Sequence, residues 1–355
     1  MLALKAFPLQ TPRLLLTSIY SLPMAAEIRP PAVMSEIDLA IVHALQVAPR
    51  APWKLIGSVV GLDAATTARH WARLSQDNVA WFTVRASARL LTPTTDAAIV
   101  RVQVAPEQAL TFATELASHE GVIAVDLVSG PAQIMFIVVG QGIDAVREHV
   151  TTLLAGQPSI HAWRYDFLAL VHREDSQWQL RILSEAQKRQ LHNPLSPSER
   201  EADPDHVHRL IGALQDDARL SFAALAEHLG TSEATARRML SRALEAEGIR
   251  LGCDVATQAV GLGRSVVIEA RAKNPREAAS LIAKRPEVVR CAEIVASGNL
   301  LVMVRLATLA QLSEFETDLL QHIPGWDVCE RLTVTRVVKR QGRLLDSVGR
   351  ALPFS

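Results

Sequence analysis

The chain is poor in cysteine, in aromatic residues and in net charge. Its 355 residues hold three cysteines, Cys253, Cys291 and Cys329, with no CxxC spacing. An odd count at such spacings excludes a disulfide framework and a zinc site, and it points to a reducing cytoplasm. The cysteines read as small buried apolar side chains. Aromatic residues make up 5% of the chain, against 49% hydrophobic residues overall, so aliphatic residues must build the core. Thirty-seven basic residues balance thirty-seven acidic ones. A partner of one charge sign must therefore be met by a local patch and not by the protein as a whole. No apolar run reaches the roughly 18 residues that span a bilayer. Residues 1–33 are broken by Pro12, Arg13, Pro23, Pro30 and Pro31. They read as a disordered tail and not as a signal peptide; Met24 or Met34 is an alternative start.

What is present is a repeat. His43–Arg73 aligns without a gap on Gly212–Arg242, with identities at Ala44/Ala213, Leu45/Leu214, Gln46/Gln215, Arg50/Arg219, Gly61/Gly230, Thr66/Thr235, Arg69/Arg238 and Arg73/Arg242. Apolar character also agrees at Trp53/Phe222, Ile56/Leu225 and Trp71/Leu240. A duplicated unit predicts one fold built twice.

Each copy opens with three short helices. In the first, Ser35 caps a helix carrying Ile37, Ile41, Val42 and Leu45. A second helix runs over 53–60 and stops at Gly61, and Asp63 caps a third through Ser75. The second copy repeats this over 207–214, 222–229 and 232–246. A Gly-containing turn before the last helix is the helix-turn-helix pattern. In the third helix Thr67, Trp71 and Leu74 share an inward face, while Thr66, Arg69, His70 and Arg73 share a basic face free of acids. The equivalent face is Thr235, Arg238, Met239 and Arg242, with Arg237 alongside. Such a face suits the major groove of DNA, and Met239 in place of His70 predicts different base reading in the second copy. Arg50 and Arg219, before the second helices, are candidate phosphate contacts or surface ion pairs.

A β-α-β-β-α-β order follows in each copy, over 97–171 and 264–338, and it predicts a ferredoxin-like domain. One sheet face is expected to stay bare and to carry Val100, Val102, Val266 and Ile268, so the two sheets should stack as an internal pseudo-dimer. The domain reading is a tail, 1–33; a helix-turn-helix domain, 34–85; an effector domain, 96–173; a linker, 174–204; a second helix-turn-helix domain, 205–252; a second effector domain, 263–340; and a C-terminal tail, 341–355. The polar stretch 184–204 suits a solvated connector. The fold class is therefore α+β, with two winged-helix-like helix-turn-helix domains and two ferredoxin-like domains.

These segments, EIDLAIVHALQ, GLDAATTARHWARL and GTSEATARRMLSRALEAEGI with the strand-Gly-strand of each sensing domain, resemble the Lrp/AsnC family of feast/famine regulators. The resemblance implies double-stranded DNA with a near-palindromic operator as partner. It also implies an amino acid or related small molecule held between effector domains, and assemblies of several pseudo-dimers. No cofactor, metal site or membrane contact is expected. The turns Gly130-Pro131 and Gly298-Asn299 depart from the family's Gly-Asp, so Gly130, Gly298 and Asn299 are candidate effector-loop residues or plain hairpin turns. The same fold occurs in sirohaem decarboxylases. His119, His149, His161, His172 and His322 are scattered, and no nucleophile-base pair or phosphate loop stands out, so a DNA-binding regulator is the favoured reading over an enzyme or a regulator partner that no longer binds DNA.

Overall fold

The computed structural model describes residues 34–86, 95–191, 203–215 and 217–353. The predicted N-terminal tail and part of the linker lie outside these. The first half runs α1 (Glu36–Val47), α2 (Trp53–Val60), α3 (Ala64–Gln76), β1 (Ala80–Ala86), β2 (Thr95–Val104), α4 (Ala109–Ser118), β3 (Val122–Val128), β4 (Ile134–Gln141), α5 (Ile143–Leu154), β5 (Ile160–Arg173) and α6 (Glu185–Leu191). The second half runs α7 (Pro204–Leu214), α8 (Phe222–Leu229), α9 (Glu233–Glu245), β6 (Ile249–Val255), β7 (Arg264–Arg271), α10 (Pro275–Ile282), β8 (Val288–Val295), β9 (Leu300–Leu306), α11 (Ala310–His322), β10 (Asp327–Arg340) and β11 (Arg343–Leu344).

The helix-turn-helix units form for the local reasons the sequence contains. Ser35 and Asp38 make a reciprocal capping box on α1, Asp63 caps α3, and Ser221 and Ser232 cap α8 and α9. Gly61 and Gly230 end α2 and α8 in the left-handed region, at φ 79° and 62°. There the missing Cβ removes the penalty of a positive φ. Ile41, Leu45 and Ile56 are fully buried in the first unit, and Leu210, Leu214 and Leu225 in the second. Each such side chain contributes about 1.5–3 kcal/mol of burial.

Among the described residues neither unit has a wing hairpin of its own. Each supplies one strand, and the two strands pair with each other: β1 runs antiparallel to β6 from Ala80↔Val255 to Ala86↔Ile249. The register is symmetric about Thr83↔Gly252, which are themselves equivalent residues of the repeat. The pseudo-two-fold axis passes through this pair. A Cβ on Gly252 would lie 2.8 Å from the Thr83 hydroxyl, so the axis admits one side chain and not two.

The effector domains have the strand order β5-β2-β4-β3 and β8-β9-β7-β10, the arrangement expected of β-α-β-β-α-β units. Their edges then join. β5 pairs with β8 through Phe167↔Val295, and β10 pairs with β3 through Val334↔Val128, so eight strands close on themselves. Closure satisfies every edge of both sheets and removes the exposed edges of a single domain. The faces differ from expectation by one residue of register. Val100, Val102, Val266 and Ile268 point outward beneath the helices, with Phe112, Leu116 and Val146 in one half and Ala279, Ile282 and Leu319 in the other. The faces that meet inside carry Ile99, Met135, Val267, Leu301 and Met303. Both faces of these strands are buried, so apolar alternation cannot tell inside from outside.

The polar linker is half structure. Trp178, Leu180, Leu183 and Leu191 are buried in the apolar cluster shared by the first helix-turn-helix unit and the barrel interior. His43 Nδ1 accepts the backbone N–H groups of Ile182 at 3.1 Å and Leu183 at 2.9 Å, and Gln187 donates to the Val59 carbonyl. The C-terminal residues also return to the body: β11 pairs with β10, and Leu345 and Ala351 pack on Trp81. Of the cysteines, Cys253 and Cys291 are buried but Cys329 is exposed, at the register irregularity between Val328 and Glu330 of β10.

Two outcomes follow from this packing. Gly252→Thr should lower the melting temperature, and the transposed double variant Thr83→Gly with Gly252→Thr should regain most of the loss in a thermal melt. Burial, followed by the nearby charge of Lys188, lowers the His43 pKa from 6.5 to about 4. Its neutral form is the one that accepts two N–H groups. The unfolded chain takes up that proton first, so stability should be full above pH 6.5 and fall as pH drops towards 4. Denaturant titrations across this window should show the slope, and His43→Gln, which accepts without titrating, should flatten it.

Candidate nucleic-acid and effector sites

The two third helices present unequal polar faces. On α3, Asp63 holds the Thr66 N–H and hydroxyl, and Arg69 donates to the Thr66 hydroxyl at 2.9 Å on the exposed side. His70 and Arg73 turn back to α1. His70 Nδ1 lies 2.7 Å from Asp38 Oδ1, and Arg73 Nη2 donates to both Asp38 oxygens at 2.7 Å. Burial alone would raise the Asp38 pKa. Hydrogen bonds from His70 and Ser35 and the charge of Arg73 outweigh it, so the carboxyl is held below its ordinary value. The acid that pairs with the basic face comes from another helix, where a reading of α3 by itself does not reach. Arg73 keeps more than half of its side chain exposed.

On α9 that carboxylate has no counterpart. Val207 stands where the first copy has Asp38, and it is buried beside Met239. Met239 therefore belongs to the core and not to the basic face, which corrects the sequence reading. Arg238 is exposed and donates to the Thr235 hydroxyl at 3.2 Å; Arg242 is also exposed. Arg237 pairs with Glu233 one turn earlier and lies 4.1 Å over the Phe222 ring.

Arg50 and Arg219 are engaged between the two helix-turn-helix units and, among the described residues, form no ion pair there. Arg50 donates to the Ala218 and Leu220 carbonyls, and Arg219 donates to the Pro49 carbonyl at 2.7 Å. Each guanidinium also lies over the other unit's first aromatic residue, Arg50 over Phe222 at 5.0 Å and Arg219 over Trp53 at 4.0 Å. This reciprocal exchange fastens the two helix-turn-helix units together. Beside it opens a cleft of about 940 Å³ lined by residues of both units, among them Gln46, Arg50, Gln179, Glu245 and Arg250.

The turn residues of the effector domains are engaged in their own structure. Gly298 N–H donates to Glu269 at 2.9 Å. The Asn299 amide exchanges two hydrogen bonds with the Ala272 backbone, at 2.9 and 3.0 Å. Gly130 sits against Leu332. The scattered histidines stay scattered: His172 pairs with Glu293 and His149 with the Val139 carbonyl, while His119, His161 and His322 are exposed.

A buried ionic cluster at the junction of ribbon and barrel was not anticipated. Asp175 takes a bidentate pair from Arg290 at 2.8 Å, and Arg340 pairs with Asp254 of β6 at 2.8 Å while donating to the Val255 carbonyl. Arg305 lies 4.3 Å over Trp178. Burial pushes Asp126 up to about 7 and draws Arg85 and Arg305 down to about 10. The signal in the sequence was a charge inside an apolar strand, as in VVRCAEIV and LLVMVRL. The cluster ties the helix-turn-helix ribbon to the effector barrel. Among the described residues no helix is long and apolar enough to cross a membrane.

The chain matches the model of the AsnC-type helix-turn-helix domain twice, at residues 34–75 and 208–242, and that of the Lrp/AsnC ligand binding domain at 265–344. No curated protein matches it. It is similar in fold to the siroheme decarboxylase NirDL solved in co-complex with an iron-uroporphyrin III analogue, at 16% identity and a TM-score of 0.54, covering 86% of this chain and 93% of that one. A second NirDL structure gives 16% identity and a TM-score of 0.52 over the same shares. E. coli AsnC aligns at 14% identity and a TM-score of 0.35, over 39% of this chain and 93% of its own. The chain therefore carries two AsnC-type helix-turn-helix domains and an Lrp/AsnC ligand-binding domain on a single polypeptide.

Proposed function

We propose that the protein is a DNA-binding transcription regulator in which the second helix-turn-helix unit makes the stronger contact. The observation that carries this is the difference between α3 and α9. Arg73 and His70 are held by Asp38, whereas the equivalent environment of α9 is apolar and leaves Arg238 and Arg242 on the outer face. The DNA-facing set is Thr235, Arg237, Arg238 and Arg242, with Thr66, Arg69, His70 and Arg73 in a lesser role. Two unlike helices on a pseudo-two-fold frame fit an operator with unequal half-sites better than a perfect palindrome. A small molecule, an amino acid by family likeness, is the effector, and pseudo-dimers assemble further through their effector domains. The Gly298 N–H and the Asn299 side-chain amide are spent on the turn itself.

Binding to duplex DNA from the chain's own upstream region, followed by fluorescence anisotropy, tests the reading. Arg238→Ala and Arg242→Ala should each weaken binding by about 1–3 kcal/mol if they read bases. Arg73→Ala should cost less, and affinity should fall steeply with salt. Equal losses at Arg73 and Arg242 would overturn the asymmetry.

A second reading is an enzyme on the same frame, favoured by the likeness in fold to a siroheme decarboxylase across both halves. Titration with an iron tetrapyrrole separates the two. The regulator reading expects no saturable change in the absorbance spectrum, and stoichiometric binding would favour the enzyme.

A further inference from the structure

The charges at the junction of the two barrel halves are not shared evenly. Gln133 N–H donates to the Val102 carbonyl as Asn299 N–H donates to that of Ala270, so Val102 corresponds to Ala270 and Arg101 to Glu269. Across β2 and β5 Arg101 faces Arg164; across β7 and β10 Glu269 faces Glu330. The same two positions therefore carry two arginines in the first half and two glutamates in the second.

These four side chains meet. Arg101 Nη2 donates to Glu269 Oε2 at 3.0 Å, Arg164 Nη2 donates to the same oxygen at 3.1 Å and to Glu330 Oε2 at 2.7 Å, and Arg101 Nε lies 3.5 Å from Glu330. The Arg101 and Glu269 side chains are 3% and 1% exposed. Asp166 also accepts from Arg101, and Ser297 and Gly298 donate to Glu269. We propose that this quartet is a pairing code: it makes the two halves of the chain specific for each other and forbids either half from closing the barrel with a second copy of itself.

The argument rests on what each contact can discriminate. The ladders β5–β8 and β10–β3 are backbone hydrogen bonds, and both halves offer the same groups to any partner. The apolar interior is equally permissive. Charge is not. A self-paired first half would bring four guanidiniums together against only the two Asp166 carboxylates, and a self-paired second half four carboxylates with no cation; in each case the central pair, Arg101 or Glu269, is the buried one, while Arg164 and Glu330 reach solvent. A buried charge without its partner is strongly unfavourable, so the wrong pairing is repelled where the right one is held.

The test uses the full chain with a protease site placed within residues 192–202. The folded protein is cut, unfolded in denaturant, refolded and weighed by native mass spectrometry. Mixed pairs should exceed either like pair by about a hundredfold or more. In the same cut chain carrying Glu269→Gln and Glu330→Gln, like pairs of the second half should appear. A statistical mixture in the unsubstituted protein, or mixed pairs alone in the Gln variant, would overturn the proposal. The uncut chain gives a measurement that does not depend on refolding. Arg101→Glu with Arg164→Glu should melt well below Arg101→Gln with Arg164→Gln, because repulsion adds to the lost contact. Equal melting of the two would overturn it as well.

Discussion

Closure of eight strands by two backbone ladders, β5 on β8 and β10 on β3, is the constraint on which the rest depends. Each effector domain alone ends in open edges and exposes one apolar face. Joining them satisfies both needs in a single step. It also fixes the pseudo-two-fold axis, and everything else is arranged about that axis. The β1–β6 ribbon is centred on it at Thr83 and Gly252, and Arg50 and Arg219 reach across it in opposite senses. The helix-turn-helix units are thus placed by the barrel, through the ribbon and the ionic cluster of Arg290, Asp175, Arg340 and Asp254.

Symmetry of backbone and asymmetry of side chains divide the work. The order of helices and strands repeats from one half to the other. The side chains depart from the repeat at the points where the two copies meet or where they face outward. Asp38 against Val207 and His70 against Met239 change what α3 and α9 offer a ligand. Arg101 against Glu269 changes what each half accepts as a mate. A buried charge pair adds little net stability on average, and its better attested use is to specify a register or a partner.

Much of the fold was legible because it is written locally. Caps at Ser35, Asp63 and Ser232, left-handed glycines at 61 and 230, and apolar runs such as 300–306 signal their elements within a few residues. What was not legible depends on contacts far apart in the chain. Val100 and Val266 could be assigned to a buried strand but not to a face, since both faces are covered. The role of Arg73 hinged on an aspartate 35 residues away, and that of Arg50 on carbonyls 168 and 170 residues away. The polar linker composition hid four buried side chains, Trp178, Leu180, Leu183 and Leu191, because isolated apolar residues in a hydrophilic stretch show no period.

The stretch from Trp178 to Leu191 has one more consequence. By leading from β5 back onto the first helix-turn-helix unit and then towards the second copy, it makes the meeting of the halves an event within one molecule. A two-subunit relative must find its mate by collision, and it falls apart on dilution. Here the mate travels on the same thread, so the assembled form persists at a handful of copies per cell as well as at thousands.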